Sequence, residues 1–172
     1  SRILATAREG DVLTYGREEI GSTTGFEVFD KETPEKISKL IGSRIIEQLR
    51  AKLPKGGRFP VVIGPNVIGV FIHEAFGHLA EADLTLSGSV LVDKFGKKIA
   101  SEIVDVYDDG TIEGAFGSFK YDDEGIPAQK TLLIKEGTVA GLMTNRETAE
   151  KLGLPPTGNA RAQDFRHRPI IR

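Results

Sequence analysis

The sequence predicts an α+β fold with mixed β-sheets, and two observations carry this prediction. Two stretches, at about residues 34–52 and 66–82, have the pattern of helices. The residues before the first stretch and after the second form short β-type runs separated by turn residues. At 172 residues, the chain is long enough for one domain or for parts of two.

The N-terminal region predicts short strands followed by a long helix. β-type runs at residues 3–7, 12–15 and 25–29 are separated by glycine-containing turns. Thr33 then provides a helix N-cap and Pro34 a first helical residue. Apolar residues recur at helical spacing from there until Pro54. We therefore expect a helix over about residues 34–52.

A buried strand and a second helix are predicted next. Residues 59–63 end in a Val-Val-Ile run without polar alternation, which is typical of a strand buried on both faces. A helix should follow over about residues 66–82, with the strand buried beneath it. Its apolar residues should anchor one side of this helix in a core: Val67, Val70, Phe71, Leu79 and Ala80.

The remaining residues predict a β-rich segment. Strands are expected at about residues 90–92, 101–107, 115–121, 131–135 and 138–144. The last two should form a hairpin around Glu136-Gly137. A short helix over about residues 146–152 and a loop at 155–159 should follow.

Composition excludes several classes of function and partner. The net charge of −2 gives no electrostatic reason to expect nucleic acid or an anionic membrane as a partner. The longest apolar run is short and interrupted by Gly64, Pro65 and Asn66, so no membrane segment is expected. The chain has no Cys and shows no secretory signal, which favours a cytoplasmic location.

Residues 73–78, His-Glu-Ala-Phe-Gly-His, carry the clearest chemical signal. Zinc hydrolases need imidazole or carboxylate ligands, an open position for water and a carboxylate that accepts a proton. His73 and His78 are candidate ligands of Zn²⁺, and Glu74 is the candidate general base. Packed or solvated helical histidines are the alternative, and the residues alone leave both readings open.

The five-residue spacing of His73 and His78 constrains the geometry. On a regular helix the two side chains would stand about 140° apart. A π-type turn, with about 4.4 residues per turn, would bring them within about 50°. We expect such a turn near Gly77, because glycine tolerates unusual backbone angles.

Other polar residues have weaker claims to a function. Glu81 could orient an imidazole or bind the metal, although a solvated helix end is the simpler reading. Asp83 could accept a hydrogen bond from a ligand imidazole, or instead belong to a cap or turn. The acidic runs at residues 108–109 and 122–124 lack the ligand spacing of a calcium loop and should be turns, and His167 should lie at the surface.

The motif and its surroundings resemble the TldD/PmbA family, whose members are also described as modulators of DNA gyrase. The resemblance rests on the segment at residues 73–83, HEAFGHLAEAD, followed in family order by residues 108–112, 122–127 and 156–161. It covers about residues 25–172. Phe76 stands where the family has a small aliphatic residue, and Leu79-Ala80 replaces Gly-Leu, both of which are apolar changes.

The resemblance implies a zinc-dependent peptidase acting on peptides or unfolded polypeptides. TldD-type subunits carry HExxxH, which maps onto His73, Glu74 and His78, and they pair with PmbA/TldE-type subunits that lack the motif; a homodimer is the alternative assembly. Residues 1–57 would be the end of an N-terminal α/β domain with its connecting helix. Residues 58–172 would begin the metal-bearing C-terminal domain, making the chain an incomplete fragment. The family's third ligand is a downstream Cys, which this chain lacks, so the fragment is expected to bind metal poorly and to be inactive alone.

Two hypotheses from different classes follow. In the first, the protein hydrolyses peptide bonds, and an extended peptide pairs with an exposed strand edge. In the second, it is a non-catalytic peptide-binding or assembly subunit with a structural or vestigial His pair. Direct contact with DNA is set aside, because there is no clustered basic face.

Overall fold

The computed structural model describes residues 1–31 and 33–172, and these form two compact units. The first unit comprises residues 1–60 and 114–117, and the second comprises residues 61–113 and 118–172. Helices and small antiparallel sheets occur together, so the predicted α+β class is confirmed. None of the described helices is long and apolar enough to cross a membrane.

The first unit is a β-hairpin covered by one long helix. Strand β1 (Arg2–Glu9) pairs antiparallel with β2 (Val12–Glu19) across a two-residue turn, which confirms the first two predicted strands. The third, at residues 25–29, is wrong: this segment is a turn that runs into the short helix α1 (Val28–Lys31). Its backbone N–H groups donate to carbonyls three residues back, which satisfies them without a neighbouring strand.

Helix α2 (Pro34–Leu49) confirms the predicted long helix, although it ends before residue 52. The Thr33 side chain accepts a hydrogen bond from the N–H of Lys36, as expected of an N-cap. The buried residues Ile37, Ile41 and Ile45 pack against apolar residues of the hairpin. At Gly16 the backbone lies so close to α2 that an added Cβ would be 2.6 Å from Cγ2 of Ile45.

In the second unit, β3 (Val106–Asp109), β4 (Lys130–Lys135) and β5 (Thr138–Val139) form an antiparallel sheet in the order β3-β4-β5. The β4–β5 turn confirms the predicted hairpin, with Glu136 at φ 48° and Gly137 at φ 77°. Its second strand ends at Val139, although it was predicted to reach residue 144. Helices α3 (Pro65–Ile72), α4 (Ala82–Leu86) and α5 (Arg146–Leu152) complete the unit, with a two-stranded sheet of β6 (Ala160–Arg161) and β7 (Ile170–Ile171). Helix α5 and the loop that follows it agree with the prediction.

Several predicted strands are wrong or too long. Residues 90–92 form turns, residues 115–121 contain no strand beyond a single bridge from Tyr121 to Pro127, and only the end of the 101–107 run enters β3. Local hydrogen bonds replace the expected ladders: the N–H groups of Val92 and Lys94 donate to carbonyls three residues earlier. The β-propensity of these residues led to too many predicted strands, because turn hydrogen bonds satisfy their backbone N–H groups.

The predicted buried strand at residues 59–63 is also wrong. This segment is irregular and exposed, with Val62 fully accessible to solvent and Val61 72% exposed. Among the described residues no strand pairs with it, and an unpaired β-branched run has no ladder to hold it in a sheet. Val67, Val70 and Phe71 of α3 are likewise exposed, so the expected core beneath the helix is absent from the part of the chain described.

The core of the second unit lies instead around the end of the motif segment and the β3-β4-β5 sheet. Its members are buried apolar side chains drawn from distant parts of the sequence: Phe76, Ala80, Ala82, Leu91, Leu133, Ile134, Val139, Leu142, Met143 and Ile171. Leu79, predicted to be an anchor, packs against this cluster while partly buried. The core therefore fixes the C-terminal half of the motif segment and leaves its N-terminal half at the surface.

A buried aspartate fastens β6 to the preceding turn. One carboxylate oxygen of Asp122 accepts hydrogen bonds from the N–H groups of Glu124 and Ile126, at 3.0 and 2.8 Å. The other accepts from the N–H of Ala160 at 3.0 Å. The acidic run at residues 122–124 is thus a turn, as predicted, whereas the run at residues 108–109 lies in β3 and was wrongly predicted to be a turn. Asp122 accepts hydrogen bonds from three backbone donors that would otherwise be unpaired.

We expect Asp122→Ala to lower the free energy of unfolding by about 2–4 kcal/mol, because buried donors left without a partner cost about 1–3 kcal/mol. Asp123→Ala removes one exposed hydrogen bond, from the N–H of Ala162, and should cost less than about 1 kcal/mol. Urea unfolding of both variants measures the difference. A loss below about 1 kcal/mol in Asp122→Ala would show that its three hydrogen bonds do not stabilise the fold.

Candidate metal centre

The helix that carries the HExxxH motif changes its pitch at the motif. Residues Pro65–Ile72 are α-helical, His73–Gly77 form a π-helical turn, and His78–Ala80 form a 3-10 turn. The N–H of His78 donates to the carbonyl of His73, five residues earlier. The wide turn predicted from the histidine spacing is therefore confirmed.

Gly77 does not adopt the unusual backbone angles that were predicted for it. Gly77 has ordinary helical angles, φ −53° and ψ −53°, so no special backbone freedom is used. An added Cβ would lie 3.7 Å from the carbonyl oxygen of Ile72 and 3.8 Å from Nδ1 of His73, both normal contacts. What Gly77 provides is space beside the His73 ring, which longer side chains would occupy.

The wide turn brings the two histidines together. Their ring centroids are 4.5 Å apart and the rings are inclined at 66°. One possible ligand atom from each of His73, Glu74 and His78 lies within 4.8 Å of the others. Among residues 1–31 and 33–172, these three residues form the one group of three or more His, Asp or Glu side chains that could hold a metal ion.

The cluster lies at the surface, contrary to the expected position in a core. His73 and Glu74 are exposed, and the His78 side chain is 31% exposed. On the opposite side of the same turns, Phe76 and Ala80 are buried in the core cluster. The segment thus has an anchored face and an accessible face, and the candidate ligands occupy the accessible one.

Glu81, expected at a solvated helix end, is instead buried and contacts His78. Its Oε1 lies 2.6 Å from Nδ1 of His78. Asp83 is half-buried in the first turn of α4, where its carboxylate accepts a hydrogen bond from the N–H of Leu84. The structure brings Glu81 to the histidine pair and places the Asp83 carboxylate on its own helix.

A cleft of about 250 Å³ opens beside His73 and Glu81. The neighbouring residues Gly69, Ile72 and Gly77 also line it. Its other walls come from residues distant in sequence: Val106, Tyr107, Asp108, Leu133, Met143 and Arg172. Sequence reasoning did not predict that β3 would line this cleft, because the pairing of β3 with β4 depends on contacts between residues far apart in the chain. His167 is exposed, as predicted, and does not line this cleft. Its Nδ1 lies 2.8 Å from Oδ1 of Asp164.

The donor atoms fit a zinc ion in kind and nearly in position. Imidazole nitrogens and a carboxylate are ordinary zinc ligands, and tetrahedral ligands with bonds of about 2.1 Å stand roughly 3.4 Å apart. The candidate ligand atoms of His73 and His78 lie within 4.8 Å of each other, which is near that distance. Oε2 of Glu74 lies 3.9 Å from Nε2 of His78, so its carboxylate is beside the two imidazoles.

Comparison with protein families gives one match over most of the chain. A family model described as the PmbA/TldA metallopeptidase C-terminal domain matches residues 56–172. A metalloprotease of Methanothermobacter thermautotrophicus is 47% identical over 169 residues, covering 98% of this chain and 37% of the relative. A protein of Saccharolobus solfataricus named zinc metalloprotease TldD homolog is 40% identical over 171 residues, covering 99% of this chain and 38% of the relative.

Solved structures have the same fold. A crystal structure described as a modulator of a DNA gyrase from Thermotoga maritima aligns with a TM-score of 0.77 at 25% identity, covering 98% of this chain and 38% of that one. TldE from Thermococcus kodakarensis aligns with a TM-score of 0.68 at 20% identity, covering 99% of this chain and 38% of that one. The chain thus spans little more than a third of the length of these relatives and solved structures.

Proposed function

The chain belongs to the PmbA/TldD metallopeptidase family, and from that premise we propose that it is part of a zinc-dependent peptidase of the HExxxH type. The proposed substrates are peptides or unfolded polypeptide segments, cleaved by hydrolysis of a peptide bond. The observation that carries the proposal is the π-helical turn, because it brings His73, Glu74 and His78 within 4.8 Å of one another. A regular helix would hold the two imidazoles apart.

In this proposal His73 and His78 hold the metal and Glu74 is the general base. Zinc, when bound, supplies a Lewis acid for the substrate carbonyl and makes water easier to deprotonate. Glu74 accepts a proton from the water whose oxygen attacks the carbonyl carbon, and a proton passes to the nitrogen as the C–N bond breaks. The exposure of Glu74 leaves its carboxylate accessible to an incoming substrate.

The proposed substrate path follows the edge strand β3. Among the described residues β3 pairs with β4 and with no other strand, so the proposed peptide would pair with its other edge. Val106, Tyr107 and Asp108 of this strand line the cleft that also contacts His73. A peptide paired with β3 would therefore lie beside the candidate metal ligands.

We also propose an arrangement of domains and subunits. Residues 1–57 would end an N-terminal α/β domain and residues 58–172 would begin the metal-bearing domain, supported by the unit boundary at residue 60 and the family match from residue 56. A PmbA/TldE-type subunit or a second copy is the proposed partner, and the cytoplasm the proposed location.

Zinc analysis and a peptide-cleavage assay on the full-length protein test the proposal. We expect one zinc per chain and chelator-sensitive cleavage of an unfolded polypeptide such as reduced casein. Peptide binding without cleavage by the zinc-loaded protein, alone or with its partner subunit, would overturn the proposal in favour of a non-catalytic peptide-binding subunit.

A further inference from the structure

The carboxylate of Glu81 is buried against one of the two histidines. Its side chain is only 10% exposed, and Oε1 lies 2.6 Å from Nδ1 of His78. A buried polar side chain is costly unless it is hydrogen-bonded, so this contact explains how the Glu81 carboxyl group is accommodated. The contact fixes one side of the His78 ring.

The backbone around Glu81 is held by the core. The carbonyl of Ala80 accepts a hydrogen bond from the N–H of Met143, and the N–H of Ala82 donates to the carbonyl of Met143, both at 2.9 Å. The carbonyl of Glu81 itself accepts from the N–H of Thr85 at 3.0 Å. Because Ala80, Ala82 and Met143 are all buried, the position of the Glu81 side chain is set by the packed core.

This contact bears on the tautomer of the imidazole. At 2.6 Å, Oε1 of Glu81 is an acceptor for a hydrogen on Nδ1 of His78, and with the hydrogen on Nδ1 the Nε2 atom keeps its lone pair. Nε2 faces Glu74, since it lies 3.9 Å from its Oε2. The contact with Glu81 on Nδ1 thus leaves Nε2, the nitrogen nearer Glu74, available to bind a metal.

We infer that Glu81 is a positioning residue: it holds the ring and tautomer of His78 so that Nε2 can bind a metal, and it is not itself the missing third ligand. The inference rests on the proposed function for the identity of the metal. Oε1 of Glu81 contacts Nδ1 of His78, whereas Glu74 lies near the other ring nitrogen, Nε2. Glu81 is also outside the group of potential ligands formed by His73, Glu74 and His78. Partners of this kind typically contribute 10–100-fold to metal affinity.

The test uses the full-length protein with Glu81→Ala and Glu81→Gln, and Glu150→Gln as a matched change of an exposed glutamate on α5. Nitrogen-15 spectra of the histidine side chains in zinc-free protein report the tautomer of His78. Zinc affinity is measured by competition with a chromophoric chelator. The isosteric Gln variant keeps an acceptor for Nδ1–H, so it remains informative if the Ala variant does not fold.

We expect the Nδ1–H form of His78 in the parent protein and in Glu150→Gln, and a mixture of tautomers in Glu81→Ala. Zinc affinity should fall by about 10–100-fold in Glu81→Ala and by less in Glu81→Gln. An Nε2–H tautomer in the parent protein, or unchanged zinc affinity in Glu81→Ala, would overturn the inference. Equal losses of more than about 100-fold in both variants would also overturn it, because they would mark Glu81 as a ligand. The tautomer is read without metal, so it separates this inference from failure of the peptidase proposal.

Discussion

Glu74→Gln is expected to reduce kcat/KM for peptide hydrolysis by about 10²–10⁴-fold in the full-length protein, the usual contribution of a general base. The substitution keeps the size of the side chain and removes its ability to accept a proton at neutral pH. Glu74 is exposed, so the change should leave the fold and the positions of His73 and His78 intact. The loss should therefore appear in turnover while zinc affinity changes little.

Steady-state kinetics and zinc titration on the same preparations decide this prediction. Glu150→Gln, an equivalent change on the surface of α5, should retain full activity and affinity. Unchanged turnover in Glu74→Gln would remove Glu74 from the role of base. A loss of turnover accompanied by an equal loss of zinc affinity would instead assign Glu74 as a metal ligand. This alternative is specific because Oε2 of Glu74 lies 3.9 Å from Nε2 of His78.

Local sequence signals predicted the elements whose geometry depends on neighbouring residues. Thr33-Pro34 marked the start of α2, Glu136-Gly137 marked the β4–β5 turn, and the histidine spacing required the π-helical turn. In each case the chemistry of a few adjacent residues restricts the backbone, through a cap, a positive φ or a required side-chain direction. Such restrictions operate whatever the rest of the chain does.

The failures arose where the outcome depends on distant partners. Residues 59–63 have a strong β pattern, yet they are exposed and unpaired among the described residues because a strand exists only where another strand pairs with it. Burial of Glu81 was missed for the same reason: the contacts of Ala80 and Ala82 with Met143 bring residues more than sixty positions apart into one core. Tertiary pairing decided both cases, and a single sequence does not show it.

The candidate site itself was only partly accessible to sequence reasoning. The motif named His73, Glu74 and His78, and the structure brings all three together. The wall of the cleft formed by β3 and Met143 could not be foreseen, because nothing in those short segments signals chemistry. A motif can therefore identify the candidate reacting groups, whereas the surfaces that would hold a substrate are formed only when distant segments pack together.

The 172-residue chain alone is expected to bind zinc at least about 100-fold more weakly than a full-length family member, since loss of even an outer-sphere partner commonly costs 10–100-fold. In the proposed site Glu74 is the base and Glu81 contacts Nδ1 of His78, which leaves His73 and His78 as the proposed ligands among the described residues. Catalytic zinc normally has three protein ligands, and the chain contains no Cys. Under the proposal, the third ligand is the downstream Cys that the family resemblance implies.

Competition with a chelator of known affinity measures this difference. His73→Ala and His78→Ala should each remove the residual binding, whereas His167→Ala, the third histidine and an exposed one, should leave it unchanged. Tight stoichiometric zinc in the 172-residue chain would contradict the prediction and require a carboxylate ligand within it. Asp83→Asn and Glu81→Gln would then identify that carboxylate, because removal of a ligand should lower zinc affinity by more than the roughly 10–100-fold that a positioning residue contributes.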